Sequence, residues 1–404
     1  MWYKEISTKS LYHKEIQAMT KYTTVFADLL RPLSRSNFES AISGYAADFR
    51  VRILDTYNLF KIMLFAQITG CFSVREIVTS LLANSNLLYH AGLQEVKRST
   101  FCDALESRRA DIFRSVFHYI VDEAQILGNK LAKKFKDPLR IIDASIISLC
   151  IHRFDWAKYR TTKGAIKLHM NLDGDNNIPF EAYLTTGNVH DAQIMNNLTQ
   201  ETGVIYVMDR GYVDYRSLYC IELGGSIFVT RMKSNGAYKI INAKPVEKDG
   251  PVISDVEIVL TGSTSKQNYP KPFRKIKYYD EESKKTYEFI TNDMDRDAKE
   301  IAAIYKERWQ VELFFKWIKQ HLKIKSFWGT SENAVFNQIW VALIMTILLW
   351  INQTLNGIKV SAYKLLIIIK STLLTKNTII GLCTNIKKPQ PPVDPQLFFE
   401  GFKC

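Results

Sequence analysis

Four polar side chains recur through an otherwise largely apolar segment, YKERWQVELFFKWIKQHLKIK: Tyr305, Arg308, Glu312 and Lys319. At about 100° per residue they fall within an arc of about 60°, so on a helix a phenol, a guanidinium, a carboxylate and an ammonium share one stripe. Trp309, Leu313, Phe314 and Ile318 leave apolar surface elsewhere to dock that helix. Arg308 and Glu312 also fit an ordinary i,i+4 ion pair, worth roughly a few tenths of a kcal/mol on a solvated face. An acid ringed by phosphate-binding groups suits metal-assisted phosphate chemistry.

Two aspartates upstream favour that chemistry. Asp143 interrupts the apolar run LRIIDASIISL, and Asp209 ends the run GVIYVMDRGY. Strands rich in β-branched residues are usually buried, and a lone carboxylate there is costly unless a cation or hydrogen bonds meet it. Three such acids from distant parts of a chain can converge on one pair of divalent ions.

These motifs resemble the DDE transposases of bacterial insertion sequences, specifically the IS-four branch marked by Y-(2)-R-(3)-E-(6)-K, which here reads Tyr305, Arg308, Glu312, Lys319. The first family Asp matches Asp143 in IIDAS, and the second matches Asp209 in the turn Asp209, Arg210, Gly211, Tyr212. KLHMNLD and TGNVHD between them also look like the family, so the likeness runs from about residue 137 to about 350. The resemblance implies a transposase that binds insertion-sequence ends and catalyses Mg²⁺-dependent strand cleavage and strand transfer. Asp143, Asp209 and Glu312 would hold two Mg²⁺ ions, with Mn²⁺ as substitute, about 3.5–4 Å apart. Tyr305, Arg308, Lys319 and Arg210 would contact DNA. The implied partners are double-stranded DNA, both transposon ends and target, and a second copy of the chain in the DNA complex. Some relatives carry a base-stacking Trp in an insertion between the second Asp and the Glu. This chain has no Trp between Asp209 and Trp309.

The elements that must position these residues follow from the hydrophobic period. Residues 1–136 read as a helical N-terminal DNA-binding domain: Ser73 to Glu76 has capping-box form, and Thr100 can cap a long helix beginning FCDALESRRADIF. Arg52, Arg75, Lys97, Arg98, Arg108, Arg109 and Arg114 put positive charge on these helices. From about Asp137 the period becomes two. LRIIDASIISLC, GAIKLHMNLDG, NIPFEAYLTTG, GVIYVMDRG and SIFVTRMKS are five strand candidates, with DGDNN as a hairpin turn and the helical stretches DAQIMNNLTQE and DYRSLYCIELG between the later ones. A meander, then βαβ crossovers, then the Glu312 helix is the order of a ribonuclease-H-like mixed α/β core. In it the first and fourth strands are neighbours, which brings together Asp143 and Asp209 across 209 − 143 = 66 residues.

Four further strand-like runs at about 236–293 read as a β-rich insertion outside the order of that sheet. Two apolar helices at 332–375 read as packing on the catalytic domain, residues 137–375, and 376–404, with KKPQPPVDP, as a C-terminal tail. His190 and Asp191 in TGNVHD read as a strand end followed by a cap at Asp191. His169 reads as one face of a half-buried strand, and Asp173, Asp175 and Asp155 as solvated turn acids.

Composition agrees with this reading. The 404 residues carry a net charge of +13, which suits a polyanionic partner. The six cysteines show no C-x-x-C pairing, so neither a zinc site nor a disulfide framework is expected. The longest apolar run, VALIMTILLWI from Val341, is short of the about 20 residues of a membrane span. The N-terminus MWYKEISTKSLYHKE lacks an apolar signal segment, so a cytoplasmic, nucleoid-associated location is expected. Two other classes share parts of the pattern. A silent DNA-binding descendant of a transposase has no reason to keep all three acids, and a ribonuclease-H-like nuclease without transfer activity needs neither the basic helices nor the insertion.

Overall fold

The computed structural model describes residues 23–160, 163–195, 201–233 and 236–385. Most of the expected tail, including KKPQPPVDP, and part of DAQIMNNLTQE lie outside these residues. The chain divides into two units, one of Met1–Phe101 with Leu348–Cys404, the other Cys102–Ile347.

The described part of the first unit is helical. It comprises α1 (Val25–Leu29), α2 (Arg35–Ala41), α3 (Thr56–Thr69), α4 (Val74–Ala83), α5 (Ser85–Leu88) and the start of α6 (Arg98–Ser107). Near the chain's other end, α14 (Ala362–Thr372) packs on α1 and α3, and α15 (Ile379–Asn385) on α1. Early and late segments of the described chain are tied here: the Phe26 N–H donates to the Leu373 carbonyl at 2.9 Å, and the Ile379 N–H to Asp28 Oδ2 at 2.8 Å. Helix α3 is buried on almost every side, capped by Asp55 on the Asn58 N–H and stopped by Gly70 at φ 79°. The capping box expected at α4 forms in part: Ser73 accepts from the Glu76 N–H, while Glu76 accepts from the N–H of Phe72, one residue before the cap.

The second unit continues with the rest of α6 and α7 (Ala110–Gly128). The sequence read these as one helix; it breaks at Arg108–Arg109, where Arg109 is extended and Asn337 donates to the Arg108 carbonyl. Then comes a ten-stranded sheet: β1 (Leu139–Leu149), β2 (Lys158–Arg160), β3 (Lys163–Asp173), β4 (Ile178–Thr186), β5 (Ile205–Met208), β6 (Ile227–Arg231), β7 (Tyr238–Ala243), β8 (Val252–Leu260), β9 (Phe273–Asp280) and β10 (Lys285–Thr291). Its order is β2-β3-β1-β5-β6-β10-β9-β8-β7, with β4 also on β3. β1, β3 and β4 form an antiparallel meander, while β5 and β6 are parallel to β1. This is the ribonuclease-H-like arrangement expected from the five strand candidates.

The insertion departs from expectation. Its strands are not outside the sheet: β10 pairs antiparallel with β6, Phe289 opposite Arg231, and β9, β8 and β7 follow outward. Hydrogen-bond capacity explains this, because β6 without β10 would leave an unpaired edge beside buried Val229 and Thr230.

Helices α8 (Asp191–Ile194), α9 (Tyr215–Leu223), α10 (Ser263–Asn268), α11 (Ala298–Lys306), α12 (Trp309–His321) and α13 (Glu332–Leu355) complete the described elements. Helix α13 is 24 residues and apolar enough to pass for a membrane span, longer than the sequence run suggested, yet most of it is buried inside the protein. Asp173 also corrects its reading as solvated. It is buried at the β3–β4 turn, where its carboxylate accepts from the Asp175 and Asn176 N–H groups and from Gln125.

Candidate active site

The β1–β5 register runs from Leu139 opposite Ile205 to Ile142 opposite Met208. One step further along both strands lie Asp143 and Asp209. The β5–β6 register, Ile205 opposite Ile227 to Val207 opposite Val229, extends the row to Arg231. Asp143, Asp209 and Arg231 therefore stand side by side where three parallel strands leave the core, and Phe289 of β10 follows in the same row. β1 is buried from Leu139 to Ile142 and half-exposed from Asp143 to Ser145, so the first carboxylate sits where the strand emerges.

Over this row lies the segment bearing the Y-R-E-K stripe, with one difference from expectation. It is not one helix. Helix α11 ends at Lys306, Arg308 occupies the N-cap of α12, and bonds from Arg308 N–H to Tyr305 O and from Val311 N–H to Arg308 O bridge the break. Tyr305 thus belongs to α11, its ring packed tilted against Phe289 at 4.8 Å between centroids, while Glu312 lies in the first turn of α12, where a helix favours negative charge.

Guanidinium groups tie the acids together. Arg308 donates through Nη2 to Glu312 Oε1 at 2.5 Å and through Nη1 to Asp143 Oδ2 at 3.4 Å. Arg231 donates through Nη2 to Asp209 Oδ1 at 2.5 Å, and the Tyr305 hydroxyl lies 3.5 Å from the same oxygen. Both guanidinium carbons stand 5.9 Å from the centre of the Tyr305 ring. Lys319, at the other end of α12, donates to Ser145 Oγ at 2.6 Å and to the Ile146 carbonyl at 2.9 Å, on the strand that carries Asp143. It is no free surface lysine.

The electrostatics follow from burial. Burial pushes Asp143 up to about 6, opposed by the Ala144 N–H and Arg308 and reinforced by the negative charge of Asp209 and Glu312. Burial would also raise Asp209, but the hydrogen bonds from Arg231 and the Arg210 N–H outweigh it and hold that carboxyl below its ordinary value. Burial drives Tyr305 up to about 12 against Arg231 and Arg308, so its hydroxyl stays protonated at neutral pH. Burial lowers Lys319, with help from Lys325.

The structure thus gathers Asp143, Asp209, Glu312, Tyr305 and Arg308 at one spot and anchors Lys319 to the neighbouring strand. The side chain of Arg210 is exposed on the turn Arg210–Tyr212. Arg231 did not stand out in SIFVTRMKS, because a lone Arg after an apolar strand reads as a boundary. Its signal was the strand register, 231 − 209 = 22 residues beyond the second Asp. Among the described residues no three acid, His or Cys side chains stand close enough to enclose an ion as they are. The donor chemistry nonetheless fits a hard divalent cation, since all three acids offer oxygen, and the Arg308 guanidinium held by Asp143 and Glu312 shows that this spot takes positive charge.

Comparison with known proteins assigns the chain to a family. The family described as "Transposase DDE domain" matches residues 134–348, 215 of the 404 residues. Residues 21–94 match a separate "Domain of unknown function (DUF4372)". The chain is similar to y4zB of Sinorhizobium fredii, named a transposase, with 34% identity over 299 residues, 72% of this chain and 80% of that protein. It is also similar to the transposase named for insertion sequence element IS5377 of Geobacillus stearothermophilus, with 29% identity over 273 residues, 67% and 71% of the two lengths. A solved piggyBac transposase synaptic complex with hairpin DNA aligns at a TM-score of 0.45 and 11% identity, over 92% of this chain and 81% of that one. An enzyme that rearranges DNA through a ribonuclease-H-like core is the class that fold and family define. The chain belongs to the DDE transposases, a family that requires a divalent metal ion.

Proposed function

We propose that the chain binds the ends of its insertion sequence as double-stranded DNA and catalyses Mg²⁺-dependent strand cleavage followed by strand transfer, with Asp143, Asp209 and Glu312 as the metal-holding acids. The observation that carries this reading is the convergence of the three acids: adjacent parallel strands set Asp143 beside Asp209, and one guanidinium binds both Asp143 and Glu312. A divalent ion held by these acids would activate a water or 3′-hydroxyl and neutralise charge at the leaving oxygen.

The chain's own residues do the rest. Arg308 and Arg231, weakly hydrated and planar, suit phosphate oxygens once DNA arrives, and Tyr305 fixes the height of both. Lys319 locks α12, and so Glu312, against β1. Arg210 reaches outward to backbone phosphate. The helical region up to residue 136 recognises the DNA end, with Arg52, Arg75, Lys97, Arg98, Arg109 and Arg114 exposed for it. Arg108 is buried and leaves that set. Two copies of the chain join the two ends, working at chromosomal DNA in the cytoplasm.

The test is nicking of a plasmid carrying the element's own ends. Asp143→Ala, Asp209→Ala and Glu312→Ala are each expected to reduce Mg²⁺-dependent nicking on the order of 10³-fold while end binding persists. A variant that still cuts at near the wild-type rate removes that residue from the site.

A further inference from the structure

The face of the sheet opposite the acids carries a second polar cluster. Along β3 the residues on that face are Lys167, His169 and Asn171, opposite Ile146, Ala144 and Ile142 of β1, whereas Asp143 pairs with Met170 on the other face. The Lys167 ammonium lies 3.1 Å from Asp191 Oδ1 and donates to the Val189 carbonyl at 2.7 Å. His169 is 1% exposed; its Nε2 meets Thr185 Oγ1 at 3.0 Å, and its Nδ1 lies 3.8 Å from Asp191 Oδ1 without a hydrogen-bond partner. Asp191 was expected as a helix cap. The cap position belongs to His190 instead, and the Asp191 carboxylate turns toward β3.

What Asp191 faces on its other side gives the cluster a purpose. Helix α8 packs on the 3₁₀ turn Arg210–Tyr212, the turn that begins at Asp209. A Cβ placed on Gly211 would come within 3.9 Å of Asp191 Oδ2, ordinary contact distance, so this carboxylate faces the turn at Gly211. Tyr212 is 1% exposed, its hydroxyl has no hydrogen-bond partner, and Asp191 is the foremost charge acting on it. Asp191 thus faces the turn at Gly211, while Tyr212 within the same turn keeps a buried hydroxyl without a hydrogen-bond partner.

We propose that Asp191 is a positioning residue for Asp209: paired with Lys167, its carboxylate faces the turn Arg210–Tyr212 at Gly211, braces that turn and fixes the direction of the Asp209 carboxylate. This rests on the reading of Asp209 as a metal-holding acid. Outer partners of this kind set the orientation of the inner carboxylate, and their loss weakens metal binding rather than folding.

The test measures Mn²⁺ binding by electron paramagnetic resonance on the full chain with a duplex of the element's end, alongside thermal unfolding and end affinity. Asp191→Asn keeps the volume and removes the charge; it is expected to weaken Mn²⁺ binding about 10- to 100-fold with end affinity unchanged. An unchanged Mn²⁺ affinity, with or without a lower melting temperature, would mean a structural role only and overturn the proposal. Should Asp191→Asn not fold, Lys167→Gln removes the anchor alone and is read by the same two outcomes. Asp209→Ala is the control: if it also leaves Mn²⁺ affinity unchanged, the metal reading of Asp209 fails and the brace with it. If Asp209→Ala abolishes binding and Asp191→Asn does not, only the brace fails.

Discussion

Two sets of arginine–carboxylate contacts in the catalytic unit use the same chemistry to opposite ends. In the outer strands, Arg274 grips Asp255 through Nε and Nη2 at 2.7 and 2.5 Å, and its Nη1 donates to the Asp293 and Arg296 carbonyls at 3.3 and 2.5 Å. Both side chains are buried, and every guanidinium nitrogen is used. At the acid row, Arg308 divides itself between Asp143 at 3.4 Å and Glu312 at 2.5 Å, and Arg231 holds Asp209 by one contact. The Nε of each is buried with no hydrogen-bond partner. The first pair is a finished joint. The second leaves donors unspent and an acid raised by burial, which is how a site looks when its charges are meant for something else.

The comparison can be broken first at the finished joint. Asp255→Ala strands a buried guanidinium and is expected to cost about 3–5 kcal/mol, or about 10 °C in melting temperature for a unit of this size, followed by circular dichroism. A loss below about 1 kcal/mol would mean that the two sets do not differ in kind.

The converse change sharpens it. Asp143 titrates at about 6 in the fold against an ordinary 3.8, so between these values the folded chain holds more protons than the unfolded one and stability falls as pH rises. The penalty is absent below about pH 4 and complete above about pH 6, with a ceiling of about 3 kcal/mol. Asp143→Asn is therefore expected to abolish nicking yet stabilise the chain by about 1–3 kcal/mol above pH 6, the gain vanishing near pH 4. Urea unfolding at both pH values checks the sign. Destabilisation above pH 6 would make the Asp143–Arg308 contact a structural pair like Asp255–Arg274.

The smallest effect belongs to Lys319. Its two bonds to β1 predict that Lys319→Ala lowers stability by about 1 kcal/mol and nicking about tenfold, through loss of the α12 lock on Glu312. Lys316→Ala and Lys323→Ala are expected to leave both within error, and equal small effects at all three positions would dissolve the distinction.

What was legible in the sequence depended on how local its cause was. The strands β1, β3, β4, β5 and β6, and the four runs that became β7 to β10, were visible because each is a short period-two or apolar run bounded by turn residues, and the Asp143–Asp209 neighbourhood followed from parallel pairing of β1 and β5. The joining of β10 to β6 was not visible, since the pairing of Phe289 with Arg231 spans 289 − 231 = 58 residues and no local pattern encodes it. The break between α11 and α12 was hidden for another reason. No Gly or Pro marks Glu307–Arg308; the helix parts there while Tyr305 packs on Phe289 and Arg308 turns to two acids. Arg108 looked like a surface cation because burial of one member of an Arg-Arg pair at a helix break leaves no trace in periodicity.

The central claim is that residues 143, 209 and 312 meet at one metal site. The most direct measurement replaces Mg²⁺ with Fe²⁺ in the full chain bound to its end duplex, adds ascorbate and peroxide, and maps the backbone cuts made by locally generated hydroxyl radicals. The expected result is three sets of fragments ending near Asp143, Asp209 and Glu312, all suppressed together by excess Mg²⁺. Cuts at only one of these segments, or cuts that Mg²⁺ does not suppress, would contradict a shared site.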